Sequence, residues 1–209
     1  KMVTSWTKKI VCPDSEGAQL RTGNINGKKL NLIKGSTIKI VGSSEKERGV
    51  SIQLNLKKPE KLLSVGDLLR IDFNSVIVQI TKVESSNIFA RVIKGGEIGT
   101  NKGIGIDRPV ILPRFSEKDI SAFKISKKLG LDTFFLSFCS KGEDVLELRK
   151  MFDYPIKVIS KVESNIALLN LSSICKESDS ILIDRGDLSR DVPLTKISLT
   201  VFFFFFIKL

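Results

Sequence analysis

Thr133–Phe138 reads TFFLSF, Ile156–Ser160 reads IKVIS and Ser180–Ile183 reads SILI. Each segment is short and apolar on both faces, which is typical of strands that are buried in a parallel sheet. The residues between them, from about Gly142 to Phe152 and from about Asn165 to Cys175, follow a helical pattern. Strands that alternate with helices predict parallel β/α units and an α/β fold.

A further helix is predicted just before the first of these strands. Ser116 is a suitable N-cap, and the acidic side chains that follow it lie in the first turn, where the helix dipole favours them. The helical pattern continues to about Leu129 and stops at Gly130. These patterns begin only after Pro113, so a different kind of structure is expected before it.

The residues from Leu30 to about Ile111 have an almost purely β pattern. Thr37–Val41, Ser51–Leu56 and Val76–Ile80 alternate apolar with polar residues, and Asn87–Ile93 continues the series before a glycine-rich stretch. Regular short strands separated by Gly, Asn and Ser predict a small all-β barrel or sandwich.

The composition is that of a folded protein with a preference for anions. Of 209 residues, 42% are hydrophobic and 27% are charged, and the formal net charge is +11. This charge favours anionic partners, but the lysines are spread along the chain without aromatic-basic interleaving, so no nucleic-acid partner is expected. The chain has no histidine and three widely separated cysteines, which exclude a zinc site and predict free thiols in the cytoplasm.

The most apolar segment of the chain is Val201–Leu209, which contains five consecutive phenylalanines. It is shorter than the roughly 20 residues that span a bilayer, and no signal-peptide pattern opens the sequence, so no membrane partner is expected. A phenylalanine run fits neither the strand nor the helix period. We interpret residues 200–209 as an aberrant tail that results from a shifted reading frame, and a membrane-surface anchor is the functional alternative.

Charged residues follow two consecutive strands of the predicted parallel sheet. One strand runs into Lys161 and Glu163, and the next runs into Asp184–Asp187. Because parallel strands of a barrel end at the same edge, Lys161, Glu163 and Asp187 are expected to converge there. Two carboxylates suit Mg²⁺, and a lysine beside them suits a phosphoryl group or an enolate. The structural alternative is a solvated ion pair next to a surface turn.

Several segments resemble the pyruvate kinase family in its order along the chain. Ile159–Glu163 (ISKVE) resembles the lysine-plus-glutamate strand end of that family, and Ser180–Leu188 (SILIDRGDL) resembles its Arg-Gly-Asp-Leu signature. Gly17–Gly23 resembles the segment that leaves the barrel for the lid domain, and Leu112–Ile120 resembles the re-entry into the barrel. Gly95–Gly99 with Lys102–Ile104 resembles the glycine-rich stretch of the lid.

The resemblance implies a partial (β/α) TIM-type barrel that is interrupted by a small all-β lid domain. The implied division is residues 1–23 for a barrel strand and exit loop, 24–111 for a β-barrel lid, 112–199 for a β/α barrel segment and 200–209 for the tail. Four barrel strands are predicted, the first near Ile10–Val11, where a closed barrel has eight. The chain is therefore expected to be a truncated, divergent member.

The resemblance also assigns roles to residues. Lys161 would stabilise the phosphoryl group and the enolate oxygen, and Glu163 with Asp187 would hold Mg²⁺. The backbone around Gly186 and Asp187 would bind the carboxylate of phosphoenolpyruvate. These assignments imply phosphoryl transfer from phosphoenolpyruvate to ADP, which yields pyruvate and ATP in glycolysis.

Four more residues have implied roles at the cleft. Arg21 would lie by the nucleotide phosphates of ADP or ATP, and Lys102 would reach the cleft from the lid. Asp14 and Ser15 match part of the family's K⁺ site. The acid that the family places in the adjacent loop is Gln19 here, which leaves the dependence on K⁺ open.

Two further departures bear on activity. Asp184 stands where the family usually has alanine and adds a negative charge near the substrate, and Ser189 replaces a glycine. The alternative to an active kinase is thus a catalytically incomplete remnant that at most binds phosphorylated ligands. A lyase that uses phosphoenolpyruvate or a 2-oxo acid on the same barrel is disfavoured by the embedded β domain. Self-association and allosteric control are left open by the sequence.

Overall fold

The computed structural model describes residues 5–17, 19–25, 29–45, 50–84, 87–108, 110, 112–189, 192–193 and 195–198. The predicted tail at residues 200–209 lies outside the described residues. The chain divides into two compact units, of which unit 1 comprises Lys1–Ala18 with Leu112–Leu209 and unit 2 comprises Gln19–Ile111.

Unit 2 is built from β-strands because its apolar residues alternate with polar ones. Its elements are β1 (Lys29–Leu32), β2 (Thr37–Val41), β3 (Ser51–Gln53), β4 (Leu68–Ile71), β5 (Val76–Glu84), β6 (Asn87–Lys94), β7 (Gly96–Gly99) and β8 (Ile104–Ile106), with a 3₁₀ turn at Pro59–Lys61. One sheet has the order β3-β2-β6-β5-β4-β8, and β1 pairs with β7. In β6, Ile88, Ala90 and Val92 alternate into the core, as the period of two requires.

Four of the eight strands of unit 2 were predicted, namely β2, β3, β5 and β6, although β3 ends at Gln53 and not at the predicted Leu56. β2 has the predicted bounds, whereas β5 extends beyond Ile80 because its antiparallel pairing with β6 continues through two irregularities of register. The four strands that were not predicted, β1, β4, β7 and β8, have only three or four residues each, and β4 pairs with β5 on one side and β8 on the other. The glycine-rich stretch contributes β7 and β8.

Unit 1 alternates strands and helices. Its elements are α1 (Glu117–Lys128), β9 (Thr133–Leu136), α2 (Gly142–Lys150), β10 (Lys157–Val162), α3 (Asn165–Leu169), α4 (Leu171–Glu177), β11 (Ser180–Ile183) and α5 (Arg185–Leu188). The sheet has the order β11-β10-β9, and both pairings are parallel. The predicted fold class, a partial β/α barrel interrupted by an all-β domain, is confirmed.

The core of unit 1 lies between the helices and one face of this sheet. Phe134, Val158 and Val162 are fully buried and belong to the same apolar cluster as Val145 and Ile174 of the helices. Burial of each such side chain stabilises the unit by roughly 1.5–3 kcal/mol. Because alternate residues of a strand face opposite sides, Lys161 and Glu163 are left to project from the other face.

Two elements of unit 1 differ from the sequence-based prediction. The single helix predicted from Asn165 to Cys175 is two helices that meet at Asn170, whose side chain donates to the carbonyls of Ser140 and Ile166. Such side-chain bonds compete with regular helix bonding. The strand predicted near Ile10–Val11 is reduced to one parallel bridge between Asp14 and Phe135.

Among the described residues, none of the helices combines the length and the apolar character needed to cross a membrane.

Candidate functional site

The register of the parallel sheet brings the predicted residues to one edge. Lys161 of β10 lies level with Leu182 of β11, and Val162 lies level with Ile183, so Glu163 and Asp184 both follow the ends of their strands. On the other side, Ser160 lies level with Leu136, the last residue of β9. The ends of three parallel strands therefore present their polar residues together.

The ammonium group of Lys161 is surrounded by oxygen atoms. Its Nζ lies 2.9 Å from Glu163 Oε1, 3.4 Å from Asp14 Oδ2 and 3.7 Å from Asp184 Oδ2, and it donates to Ser137 Oγ at 3.2 Å. The side chain is only 13% exposed. Burial by itself lowers the pKa of Lys161, but the bond to Glu163 and the charges of Asp14 and Asp184 outweigh it and raise that pKa. Lys161 therefore stays protonated.

Glu163 is the most deeply buried charged group of the site. Its side chain is fully buried, and its Oε2 accepts a 2.6 Å hydrogen bond from the N–H of Phe138. Burial raises the pKa of Glu163, and the charge of Asp187 adds to this effect, against the ammonium of Lys161 and the Phe138 N–H. A buried carboxylate of this kind requires positive charge nearby to remain ionised.

The residues after β9 support Glu163 through an unusual backbone. Phe138 has a φ of 52°, in the left-handed region that non-glycine residues rarely adopt. This conformation accompanies the hydrogen bond from Phe138 to Glu163. Gly17 packs against the same turn with a φ of 74°, and a Cβ there would lie 2.9 Å from both the Phe138 ring and the Ser137 carbonyl. Only glycine fits at this position.

Asp14 and Ser15 both bond to the end of β9. Asp14 Oδ1 accepts the hydroxyl hydrogen of Ser137 at 2.9 Å, and Ser15 Oγ accepts the Ser137 N–H at 2.8 Å. Asp14 thereby also holds the hydroxyl that Lys161 contacts. The two residues predicted for a monovalent cation thus lie beside the lysine, with protein partners of their own.

A buried aspartate at the start of α1 holds the adjoining loop. Asp119 accepts the N–H groups of Glu16 at 2.7 Å and Gly17 at 3.2 Å, and both the N–H and the hydroxyl of Ser116. Ser116 in turn caps α1 by accepting the Asp119 N–H, which completes a capping box. The same carboxylate therefore caps the helix and positions the loop that carries Asp14.

The turn after β11 adds a third carboxylate. Asp184 Oδ1 accepts the N–H groups of Gly186 at 3.1 Å and Asp187 at 3.3 Å. Glu163, Asp184 and Asp187 each offer an oxygen atom, and these oxygens lie within 4.8 Å of one another. Within the part of the chain that the structure describes, this is the one cluster of at least three such groups. It is a suitable arrangement for a divalent cation with oxygen ligands.

The two predicted residues of unit 2 lie close to each other. Arg21 donates to the carbonyl of Asn101 at 3.2 Å, and Lys102 is joined to Thr22 by a hydrogen bond from its N–H at 2.7 Å. The Lys102 ammonium pairs with Asp72 at 3.1 Å. An open cavity of about 490 Å³ in unit 2 is lined by Lys29, Asp72, Glu97, Ile98, Gly99, Thr100 and Lys102.

Comparison with known proteins identifies the family. The family model described as the barrel domain of pyruvate kinase matches residues 3–202. The chain belongs to the pyruvate kinase family.

Curated relatives agree with the family model. The pyruvate kinase of Clostridium acetobutylicum is 31% identical over 195 residues, which cover 90% of this chain and 41% of that protein. The human pyruvate kinase PKLR is 28% identical over 205 residues, or 93% of this chain and 36% of that protein. The pyruvate kinase of Agaricus bisporus is 27% identical over 194 residues, or 89% and 36%.

This pyruvate kinase family chain spans about two fifths of the length of the curated relatives that it matches. Its family and fold class are therefore shown, and the resemblance found in the sequence is confirmed. The comparisons concern the family and not the role of any single residue, so the assignments of Lys161, Glu163, Asp187 and the others stay predictions.

Sequence reasoning missed part of the site. It left Ser137 and Phe138 without a role, although the first contacts Lys161 and the second donates to Glu163. Asp119 was expected only to be an acidic residue in the first turn of α1. The capping pattern signalled the bond to Ser116, but no local signal reported the bonds to Glu16 and Gly17, which are more than 100 residues away.

Proposed function

We propose that this chain carries phosphoryl-transfer chemistry of the pyruvate kinase type, from phosphoenolpyruvate to ADP, to give pyruvate and ATP. The observation that carries the proposal is the position of Lys161, a partly buried ammonium among carboxylates at the carboxyl edge of a parallel sheet. This is the edge at which β/α barrels bind their substrates. The pyruvate kinase names of the curated relatives support the same reaction.

Lys161 would act by electrostatic stabilisation. Its ammonium is held by Ser137 and by the carboxylates of Asp14 and Glu163, so it is oriented before any substrate arrives. A fixed positive charge stabilises the negative charge that develops on a transferring phosphoryl group or on an enolate oxygen. Removal of one such donor typically slows an enzyme by about 100- to 1,000-fold.

The acidic cluster fits Mg²⁺ because its donors are carboxylate oxygens within reach of one ion. Glu163 and Asp187 would hold the ion. Because the Glu163 side chain is fully buried, a bound cation would stabilise its ionised form more than that of an exposed carboxylate. When bound, the cation would neutralise phosphate charge as a Lewis acid.

The backbone of Gly186 and Asp187 would bind the carboxylate of phosphoenolpyruvate, and Arg21 and Lys102 would serve the nucleotide phosphates. The N–H groups of Gly186 and Asp187 donate to Asp184 in the structure, so the substrate carboxylate would share or displace that partner. Because the Asp184 carboxylate occupies the N–H groups that the substrate would need, it favours the alternative function, a catalytically incomplete chain that binds phosphorylated ligands at most.

Asp14 and Ser15 remain predicted ligands of a monovalent cation. Both side chains already bond to Ser137, and Asp14 also pairs with Lys161. We therefore derive no step of the reaction from K⁺. A cytoplasmic location and self-association likewise remain predictions that are independent of this geometry.

The proposal is tested by pyruvate formation from phosphoenolpyruvate and ADP with Mg²⁺, followed in a coupled assay. Lys161→Met is compared with Lys157→Met, which removes an exposed lysine from the same strand. We expect turnover in the wild-type chain, a loss of at least about 100-fold in Lys161→Met and little change in Lys157→Met. A folded wild-type chain without turnover would support the binding alternative, and equal activity of both variants would exclude the role of Lys161.

A further inference from the structure

We infer that Ser137 is a positioning residue for Lys161. Its hydroxyl holds the lysine ammonium through an uncharged acceptor, and the positive charge of the lysine therefore stays available to an anionic substrate. This inference rests on the proposed role of Lys161 in phosphoryl transfer. The family resemblance gives Ser137 no role, and the role assigned here follows from the contacts between the end of β9 and the end of β10.

The direction of the hydrogen bonds around Ser137 follows from the chemistry of its two partners. Lys161 Nζ lies 3.2 Å from Ser137 Oγ, which lies 2.9 Å from Asp14 Oδ1. A protonated lysine has three donor hydrogens and no acceptor, whereas an ionised carboxylate only accepts, so the single hydroxyl hydrogen of Ser137 points to Asp14. Lys161 thus donates to Ser137, and Ser137 donates to Asp14. Each hydrogen bond in such a chain polarises and strengthens the other.

The ammonium of Lys161 has four oxygen neighbours at unequal distances. Glu163 Oε1 at 2.9 Å and Ser137 Oγ at 3.2 Å are nearest, followed by Asp14 Oδ2 at 3.4 Å and Asp184 Oδ2 at 3.7 Å. Ser137 is the uncharged member of the four, so it orients the ammonium without neutralising it. The contact to Asp14 is longer and its side chain is 54% exposed, so an anionic substrate would replace this contact at lower cost than the two nearest ones.

The Ser137 hydroxyl lies on a segment that is itself held in place. The residue is buried, and its N–H donates to Ser15 Oγ at 2.8 Å. A Cβ at Gly17 would lie 2.9 Å from the Ser137 carbonyl oxygen, so the two segments are packed closely. The next residue, Phe138, donates its N–H to Glu163 Oε2 at 2.6 Å. A hydroxyl on such a segment restricts the end of a lysine side chain, which otherwise has many rotamers.

Three variants separate the hydroxyl from the rest of the side chain. Ser137→Ala removes the hydroxyl, and Ser137→Thr keeps it. The matched control is Ser160→Ala, because it deletes a buried hydroxyl of the same sheet that bonds to Ser178 Oγ at 2.7 Å. Ser160 precedes Lys161 in β10, so the two side chains face opposite sides of the sheet.

Thermal unfolding checks that each variant is folded. Ser137→Cys, whose thiol is a weak hydrogen-bonding group of similar size, replaces Ser137→Ala if the latter is unstable.

The test measures how fast the hydrogens of the Lys161 ammonium exchange with water, by NMR spectroscopy of the full chain with ¹⁵N at lysine Nζ. The signal is assigned by its absence from Lys161→Met. We expect exchange at least about tenfold faster in Ser137→Ala, as for the loss of a hydrogen bond to a charged group. Ser137→Thr and Ser160→Ala should exchange nearly as slowly as the wild type. The exposed Lys157 should exchange at the same rate in all variants.

The outcomes separate this inference from the function on which it rests. If Ser137→Ala exchanges as slowly as the wild type, or Ser137→Thr as fast as Ser137→Ala, the hydroxyl does not hold Lys161 and the inference is wrong. The inference is also wrong if Lys161 in the wild type exchanges as fast as Lys157.

Pyruvate formation tests the other half. In an active chain, Ser137→Ala should lower kcat and leave KM nearly unchanged, as for an interaction made in the transition state, and Ser160→Ala should change neither. Equal kcat in Ser137→Ala and the wild type would overturn the positioning role. If exchange responds as expected while the wild type and Lys161→Met are equally active or equally inactive, the hydroxyl holds Lys161 and the proposed function is wrong.

Discussion

In unit 1 Lys161, Glu163 and Asp184 gather at the ends of parallel strands, whereas in unit 2 the pair of Lys29 and Glu97 lies on two antiparallel strands and faces solvent. Lys161 is 13% exposed and Glu163 is fully buried, but the ion pair of Lys29 and Glu97 in unit 2 is 68% and 53% exposed. Solvent screens the exposed pair of Lys29 and Glu97 much more than it screens the pair of Lys161 and Glu163. Of these two ion pairs, the one at the strand ends of unit 1 therefore has the stronger electrostatic interaction.

The two units also differ in what orders their loops. In unit 1 a buried carboxylate, Asp119, ties the loop of Glu16 and Gly17 to the start of α1. In unit 2 the comparable carboxylate, Asp67, ties Arg108 and the turn at Ser64 to the start of β4. Substitutions at these positions test whether buried polar contacts matter more in one unit than in the other.

The largest effect on stability is expected for Asp119→Ala. The change leaves the N–H groups of Glu16 and Gly17 without an acceptor and removes a capping box, at a cost of about 3 kcal/mol in the free energy of unfolding. Urea unfolding followed by circular dichroism measures this, with the exposed Asp153→Ala as the control. If both variants unfold at the same urea concentration, Asp119 does not hold the loop.

A smaller effect is expected for Asp67→Asn in unit 2. Burial opposes ionisation of Asp67, but its bonds to Arg108 and to the Ser64 N–H outweigh burial and lower its pKa. The stabilisation is therefore complete above the ordinary aspartate pKa of about 3.9 and is lost as the pH falls through the lower pKa of the folded state.

We expect Asp67→Asn to lower the free energy of unfolding by about 2 kcal/mol at pH 7. The difference from the wild type should shrink at acid pH, which urea unfolding at a series of pH values would reveal. Glu84→Gln, at a side chain that is 55% exposed, is the control. A difference that stays constant down to the lowest pH would argue against the pair with Arg108.

The smallest effect on stability is expected for Lys102→Met. Its pair with Asp72 is partly exposed, with the lysine side chain 43% accessible, so the free energy of unfolding should change by less than about 0.5 kcal/mol. Turnover or nucleotide binding should fall much more if Lys102 serves the phosphates. A variant that loses stability but keeps ligand binding would place Lys102 among the structural residues instead.

Much of the fold was predictable because local patterns decide it. The alternation in β2 and β6, the capping of α1 by Ser116 and the bounds of β11 all follow from residues that are neighbours in sequence. The break at Asn170 was not predictable in this way, because it depends on a bond to Ser140, 30 residues away. β1, β4, β7 and β8 were missed because each has only three or four residues, too few for an alternating pattern to be recognised.

The candidate site was predictable in outline. Lys161, Glu163 and Asp187 were selected by their position after apolar segments, since parallel strand ends carry the chemistry of β/α folds. The supporting contacts of Ser137 and Phe138 were not, because a serine and a phenylalanine after a strand have no distinctive pattern. Asp184 was noted for its charge, but its distance from Glu163 is a property of the sheet register.

The sequence by itself determined the β/α alternation of unit 1, the β pattern of unit 2 and the type of charged group at each strand end. Local periodicity and capping suffice for these, because they depend on residues within a few positions of one another. Only the tertiary structure decided which carboxylates share the ammonium of Lys161. Asp14 is 147 positions from it, and the two meet because the segment around Asp14 pairs with β9, which pairs with β10.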